Sequence, residues 1–439
     1  MRQAKVGPRL TPDIRQLRWS PSIALPHGGI DLRVSRSCEG GAESPAFSVA
    51  VASCSYDSDL IDPDALLDRY HAMTGWAEAL NQAGAGTVTV VQRFTRNASI
   101  RRGSVDYRFV ADNGPGLVAP WFWGSHLTHV VRDLRPNAVH VDGLVFPALV
   151  RRLRLGLPRH AAIVVQDHGG VRLPAVSLAS PARRLLYGFG LRAADAFMFT
   201  TREQATPWQN AGIIRDRQAV HEVLESSTNL GSMPFTAHGV KGLPGSPAIL
   251  WVGRLDQNKD PLTVLGGFAQ IADLLPQAEL TLVYGDDLLL PAVEGWLATR
   301  SDLTSRIHLR GRVDRTALPV LYNSADLFVL GSHREVACFS LIEALSFGVT
   351  PVVTDIPPFR AITGAGTVGA LFTPGDTGAM ARALMRANAA DLGSRRATVR
   401  AHFDRELSWA AVGRRALAVY RSASEKRWGL PACRNDSPH

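Results

Sequence analysis

The stretch Gly331-Ser-His-Arg-Glu335-Val-Ala-Cys338-Phe-Ser-Leu-Ile-Glu343-Ala-Leu-Ser-Phe-Gly348 decides how this chain reads. The apolar run Asp326-Leu-Phe-Val-Leu330 leads into it and Thr350-Pro-Val-Val-Thr354 follows it. The order is strand, polar loop, helix, strand. Glu335 stands in the loop and Glu343, eight positions on, stands one to two turns into the helix. In an open α/β sheet, ligands bind beyond the carboxyl ends of the strands. A helix start at that place offers unpaired N–H groups to an anion. The neighbours of Glu343 (Leu341, Ile342, Ala344 and Leu345) are apolar, so the helix is expected to be buried, and a buried carboxylate needs a partner. A vicinal diol such as a ribose supplies two donors to one carboxylate. Phe339, Ser340 and their neighbours are placed to give backbone N–H groups to a diphosphate.

Working outward, the same half of the chain repeats the strand-then-loop pattern. Ala248-Ile-Leu-Trp-Val252 is a strand that feeds Gly253-Arg254-Leu-Asp-Gln-Asn-Lys259. Arg254 and Lys259 in one loop are able to converge on an anion, one as a fork and one as a point charge. A solvated basic loop is the competing reading for the pair by itself; the glutamate loop in the same half turns the reading toward a site. Further strands are expected at Glu279–Tyr284, Arg306–Arg310 and Ala370–Phe372, with a terminal amphipathic helix from Trp409 to Tyr420.

The first half reads the same way. Phe47–Ser53, Thr87–Val91, Val105–Val110, Ala138–Asp142, Ala161–Val165 and Ala196–Thr200 are short apolar runs separated by helical stretches, one of them expected to be unbroken from Pro63 to Ala83. Strands alternating with helices imply a parallel sheet covered on both faces. Val105–Val110 alternates with polar residues and is expected near an edge. His168 follows a buried strand and precedes Gly169-Gly170, where backbone can approach a ligand closely. His140 ends another strand and serves equally well as a group that satisfies neighbouring backbone. Asp57 and Asp59 form a D-x-D pair without further ligands at metal spacing, so a solvated acidic loop is expected and no metal site is assigned.

Composition narrows the classes. The 439 residues are 46% hydrophobic and 20% charged, ordinary for a soluble globular chain of two or three domains. No apolar run of bilayer-spanning length and no signal-peptide core is visible. Four scattered cysteines without a C-x-x-C pair argue against structural zinc and disulfides, and fit a reducing, cytoplasmic setting. The net charge of +9 comes from dispersed arginines without a basic block interleaved with aromatics, so nucleic acid is not an expected partner. Arg151, Arg152 and Arg154, with apolar residues nearby, leave room for peripheral contact with the inner membrane surface. Hydrolase, metalloprotease and P-loop motifs are missing, and no G-x-G-x-x-G opens either half.

Three segments taken together resemble the retaining glycosyltransferases of family 4, built on the GT-B fold: Val252-Gly-Arg254-Leu-Asp-Gln-Asn-Lys259, Tyr322-Asn-Ser-Ala-Asp326-Leu-Phe-Val-Leu330 and Glu335-x7-Glu343-Ala-Leu-Ser-Phe-Gly. The resemblance covers about 248 to 420 strongly and 47 to 240 more weakly, through Arg135-Pro-Asn-Ala-Val-His140 and Gln166-Asp-His168-Gly-Gly. It implies two doubly wound Rossmann-like domains facing across a cleft. The boundaries it suggests are an extension over 1–44, an acceptor-side domain over 45–241, a donor domain over 248–408 and a terminal helix with tail over 409–439.

The resemblance further implies that a nucleotide-diphosphate sugar is transferred with retention to a glycan, lipid or small-molecule acceptor, as in cell-envelope polysaccharide synthesis, without metal or other cofactor. Arg254 and Lys259 would hold the diphosphate, Glu335 the donor sugar and Glu343 the ribose. Gly253, Cys338, Phe339 and Ser340 would line the donor site, Gly311 to Val313 would lie near the base, and His168 would sit over the donor sugar. Two departures stand out. Val336-Ala-Cys338 replaces the family's Gly-Phe-Gly, and no glycine-rich loop follows the first strand. The first departure suits one alternative, a nucleotide-sugar binding protein without transferase activity; a sugar-nucleotide epimerase or hydrolase on the same fold is a separate rival.

Overall fold

The computed structural model describes residues 46–55, 57, 59–111, 124–168, 180–232, 242–389 and 391–428. The expected extension over 1–44, the pair Gly169-Gly170 and residues 429–439 of the expected tail lie outside them.

Two sheets organise the chain. The first holds β1 (Ser48–Ser53), β2 (Thr87–Phe94), β3 (Ala98–Arg102), β4 (Val105–Ala111), β5 (Ala138–Asp142), β6 (Ala162–Gln166), β7 (Ala196–Phe199) and β8 (Ala219–Glu222), in the order β3-β4-β2-β1-β5-β6-β7-β8. The second holds β9 (Ala248–Gly253), β10 (Glu279–Tyr284), β11 (Ile307–Gly311), β12 (Leu327–Leu330), β13 (Thr350–Thr354) and β14 (Ala370–Phe372), in the order β11-β10-β9-β12-β13-β14. All pairings are parallel except β3 with β4. Each sheet reverses direction once, at β1/β5 in the first and at β9/β12 in the second. Those two reversals are the crevices where a doubly wound sheet binds ligands.

The strands read as apolar runs because both faces are covered. In β1, Val49 and Val51 enter one core while Ala50 and Ala52 enter another on the opposite face. The first of these cores runs on through Trp76, Leu80 and Tyr420 to Leu327 and Val329, so the two halves share buried surface.

Seven helices matter to the site. They are α1 (Pro63–Arg69), α2 (His71–Gln82), α3 (Pro147–Gly156), α4 (Pro181–Leu191), α5 (Arg202–Asn210), α6 (Phe339–Ser346) and α7 (Trp409–Trp428). The single helix expected from Pro63 to Ala83 is broken. Tyr70 leaves the helical region at φ −102°, ψ 55°, and its hydroxyl donates to Asp57 Oδ2 at 3.0 Å. The periodicity carries through the break because both pieces bury the same side. Val105–Val110 lies near the edge as expected, one strand in, because β3 adds to it antiparallel. The polar run Ala-Ser-Ile-Arg-Arg hid β3, whose Arg102 pairs with Asp64 and Asp68 of α1.

The terminal helix is longer than its sequence periodicity suggested, and it returns to the first half. Tyr420 meets Trp76 and His140, and Gly413 lies so close to α2 that an added Cβ would sit 2.3 Å from the Ala79 carbonyl oxygen. Among the described residues no helix is long and apolar enough to cross a membrane.

Candidate active site

The second crevice holds most of the residues expected to bind a donor. Gly253 ends β9, the loop after it carries Arg254 and Lys259, and the loop after β12 carries Glu335 and leads into α6. Asn258 fastens the loops together through two of its groups. His333 N donates to Asn258 O at 2.8 Å, and Asn258 Nδ2 donates to Arg334 O at 2.9 Å. Gly331 makes this possible, since a Cβ there would lie 2.7 Å from the Asp260 carbonyl oxygen. Asp260 takes a left-handed φ of 43°, caps the following helix through Thr263 N, and pairs with His333 Nε2 at 3.0 Å. The strained backbone at Asp260 is thus held by bonds on both sides.

Lys259 Nζ donates to Glu335 Oε1 at 2.6 Å, with side chains only 12% and 11% exposed. Burial opposes the charge on Lys259. The Cys338 sulfur, when ionised, and Glu335 outweigh it and raise the lysine's pKa. Burial pushes the Cys338 thiol upward in turn, so at neutral pH Glu335 is the operative partner. Arg254 is more open, at 58% exposure, and reaches Asp256 at 3.1 Å.

Glu343 is buried within α6 and, as expected, is partnered. Tyr322 donates to its Oε2 at 3.0 Å, and Arg315 lies 3.7 Å from Oε1. Burial raises its pKa, against the pull of Arg315 and Tyr322. Arg315 also reaches His71 Nε2 at 3.3 Å, and the His71 ring meets Phe339 edge-on at 6.3 Å. The first half therefore touches the second at the start of α6. Beside this contact lies an open cleft of about 460 Å³ whose walls include Gly253, Arg254, Lys259, Arg312, Val313, Glu335, Cys338, Phe339, Ser340 and Glu343. Gly311 is not one of them. It turns at φ 60° and so presents Arg312 and Val313.

His168 is not in that cleft. It lies in the first crevice, where Nε2 is 2.6 Å from Asp142 and Nδ1 is 2.9 Å from Glu225. Burial works against the imidazolium, but the two carboxylates prevail and hold its pKa well above the usual range. Asp142 is correspondingly held low by His168 against its own burial. His140 is neutral, because burial pushes it down to about 3. Trp76 Nε1 donates to the Tyr420 hydroxyl at 3.3 Å, which leaves that hydroxyl to donate to His140 Nδ1 at 2.8 Å. His140 then carries its proton on Nε2. His140, Asp142 and His168 offer ligand atoms within 4.8 Å of one another, close enough for a metal ion. The imidazolium between Asp142 and Glu225 competes with such an ion for those lone pairs.

The first crevice opens into a cavity of about 360 Å³. Its apolar wall includes Leu66, Met73, Trp76, Leu144 and Phe146, and its polar end is formed by Asp57, Asp142, His168 and Glu225. Between the halves, Gln204 of α5 donates to the Glu335 and Val336 carbonyls at 3.4 and 3.3 Å. Tyr322, Arg315, His71 and Gln204 had no sequence signal of a site role. Tyr322 came nearest, since it opens one of the three recognisable segments.

Residues 237–400 match the family model described as Glycosyl transferases group 1. The chain is 34% identical over 126 residues to a mannosylfructose-phosphate synthase of Agrobacterium fabrum, covering 26% of this chain and 27% of that protein. It is 27% identical over 180 residues to a phosphatidyl-myo-inositol mannosyltransferase of Mycobacterium leprae, covering 40% and 46%. The matches thus span less than half the length of these relatives. Among solved structures, sucrose-phosphate synthase of Thermosynechococcus elongatus aligns with TM-score 0.59 at 20% identity, covering 86% of this chain and 98% of that one. A trehalose 6-phosphate synthase of Burkholderia multivorans aligns with TM-score 0.62 at 16% identity, covering 87% and 99%. Residues 237–400 thus carry the match to glycosyl transferases group 1, and the chain shares the GT-B architecture of these solved structures.

Proposed function

We propose that the protein is a family 4 glycosyltransferase that moves a sugar from a nucleotide-diphosphate donor to an acceptor hydroxyl with retention and without a metal. The observation that carries this reading is the meeting of Lys259, Glu335 and the α6 N-terminus at the strand reversal of the second sheet. In the reaction the bond from the anomeric carbon to the diphosphate oxygen breaks, and a bond to the acceptor oxygen forms on the same face. The acceptor's proton passes to the departing diphosphate. Negative charge grows on that diphosphate as it leaves, and Lys259, Arg254 and the backbone N–H groups of α6 meet it there. Preorganised electrostatics of this kind are commonly the largest catalytic contribution. Glu343, with Tyr322 fixing one of its oxygens, takes the ribose diol. Glu335 orients the donor sugar, while His168, held between Asp142 and Glu225, faces the first crevice.

The first crevice suits the acceptor. Its described wall joins apolar surface to Asp57, Asp142 and Glu225 and contains no lysine or arginine. That combination favours an uncharged or amine-bearing acceptor with an apolar body over one that carries a phosphate. The test measures donor consumption and product formation across UDP- and GDP-sugars, in wild type and in Lys259→Ala and Glu343→Ala proteins. Near-normal turnover in both variants would sink the site assignment. Tight donor binding without product from any acceptor would instead favour the binding-protein reading, which the unusual Val336-Ala-Cys338 loop supports.

A further inference from the structure

On the outer face of the first half, α3 and α4 lie side by side. Gly190 is the reason they come so close, since a Cβ there would stand 2.2 Å from the Pro147 carbonyl oxygen. Along this seam three large apolar side chains face outward. Leu155 is 74% exposed, Leu185 73% and Phe189 60%. Leu185 and Phe189 are one helical turn apart on α4, and Leu155 is one turn beyond Arg151 on α3, so each pair shares a helix face. The Arg151 guanidinium lies 4.7 Å from the centre of the Phe189 ring and ties the two faces into a single patch. Arg184 on α4, Arg192 at its C-cap and Arg159 just after α3 are exposed in the same segments. Neither helix contains an aspartate or glutamate. Arg154, the third arginine of the sequence cluster, turns inward instead, to Asp195 at 2.5 Å and to the Ala161 and Ala193 carbonyls.

Exposed leucine and phenylalanine are costly in water unless something covers them. Arginines in the same segments as such residues, with no acid in either helix, match a surface that is apolar beneath and negatively charged above. We infer that the α3/α4 face docks on an anionic phospholipid bilayer, with Leu155, Leu185 and Phe189 entering the headgroup boundary and the arginines holding lipid phosphates. The protein then binds the membrane from one side without spanning it. Phe146, one residue before α3, lines the cavity of the first crevice, so docking brings that cavity within about 15 Å of the lipid surface. The inference does not depend on the transferase reading.

The full chain is sedimented with phosphatidylcholine vesicles, with and without phosphatidylglycerol. The double variant Leu185→Ser/Phe189→Ser and the charge variant Arg184→Gln/Arg192→Gln are tested beside it. Far-ultraviolet circular dichroism and thermal melting check that both variants fold. Expected are binding to the phosphatidylglycerol vesicles only, weakening in high salt, and a loss of about tenfold or more in each variant. Equal binding to both vesicle types, no binding to either, or unchanged binding of folded variants would overturn it. So would a wild-type dimer in solution that becomes monomeric in Leu185→Ser/Phe189→Ser, because the patch would then be covered by a second copy.

Discussion

Lys259 and Glu335 share a 2.6 Å hydrogen bond in a cleft that nearly excludes water from both. Their loops follow different strands, β9 and β12, and only the sheet reversal brings them together. Without a donor, the cation is spent on the glutamate, and donor binding must divide it between Glu335 and the diphosphate. In Lys259→Ala the glutamate is left buried and unpaired, with an expected stability loss of about 3–5 kcal/mol. Donor turnover is expected to fall roughly 10²–10³-fold. Arg254→Ala, at an exposed position, is expected to lower turnover while leaving the denaturation midpoint almost unchanged. Urea melts run beside donor assays separate the two effects, and an unaltered midpoint in Lys259→Ala would contradict the buried pair.

Glu343 titrates above the ordinary carboxylate range because it is buried. Below its raised pKa it is neutral and loses acceptor capacity for a ribose diol. Nucleoside diphosphate affinity is therefore expected to rise as the pH is brought up through that value, and to stay flat in Glu343→Gln. The stability slope has the opposite sign. The folded state holds this proton more tightly than the unfolded state, so the group's contribution shrinks as pH climbs from about 4.3 through the folded value. Calorimetric titration at several pH values checks the first expectation and thermal melts the second.

His140 is depressed to about 3 by burial, against an unfolded value of about 6.5. Its contribution to stability is complete above the unfolded value and is lost as pH falls toward the folded one, by up to about 5 kcal/mol. Protonation would also turn Nδ1 from acceptor to donor and break its bond from Tyr420, which anchors α7 to the first half. In Tyr420→Phe, Trp76 Nε1 and His140 Nδ1 both lose their partner, a cost of about 1–3 kcal/mol at neutral pH. Melts of wild type, Tyr420→Phe and His140→Gln between neutral and mildly acidic pH check this. A His140→Gln protein that loses stability as steeply as wild type would refute it.

Gly331→Ala places a methyl group where the Asp260 carbonyl oxygen stands 2.7 Å away. The two ligand loops must then separate, and the Asn258 contacts to His333 and Arg334 lengthen. The expected result is weaker donor binding with a modest stability loss of about 1–3 kcal/mol. Unchanged donor affinity would show that the close approach of the loops is not needed.

Twelve of the fourteen strands, the twofold α/β plan and the burial of Glu343 were legible in the chain, while β8, like β3, was not. Apolar runs of strand length need two covered faces, and a carboxylate among Leu341, Ile342, Ala344 and Leu345 needs a partner, whatever the rest of the fold does. The break at Tyr70 was not legible, because α1 and α2 bury the same side and the periodicity passes through unchanged. Strand β3 stayed hidden because its apolar content is too low to mark it, and pairing with β4 supplies what its composition does not. The partners of Glu343, the arrest of His168 between Asp142 and Glu225, the inward turn of Arg154 and the return of α7 to the first half were decided only by tertiary structure. Each joins residues distant in sequence, or depends on which way a side chain faces. Local composition determines what a segment must bury, while the charge or hydroxyl it is buried against depends on the sheet order and on how the two halves meet.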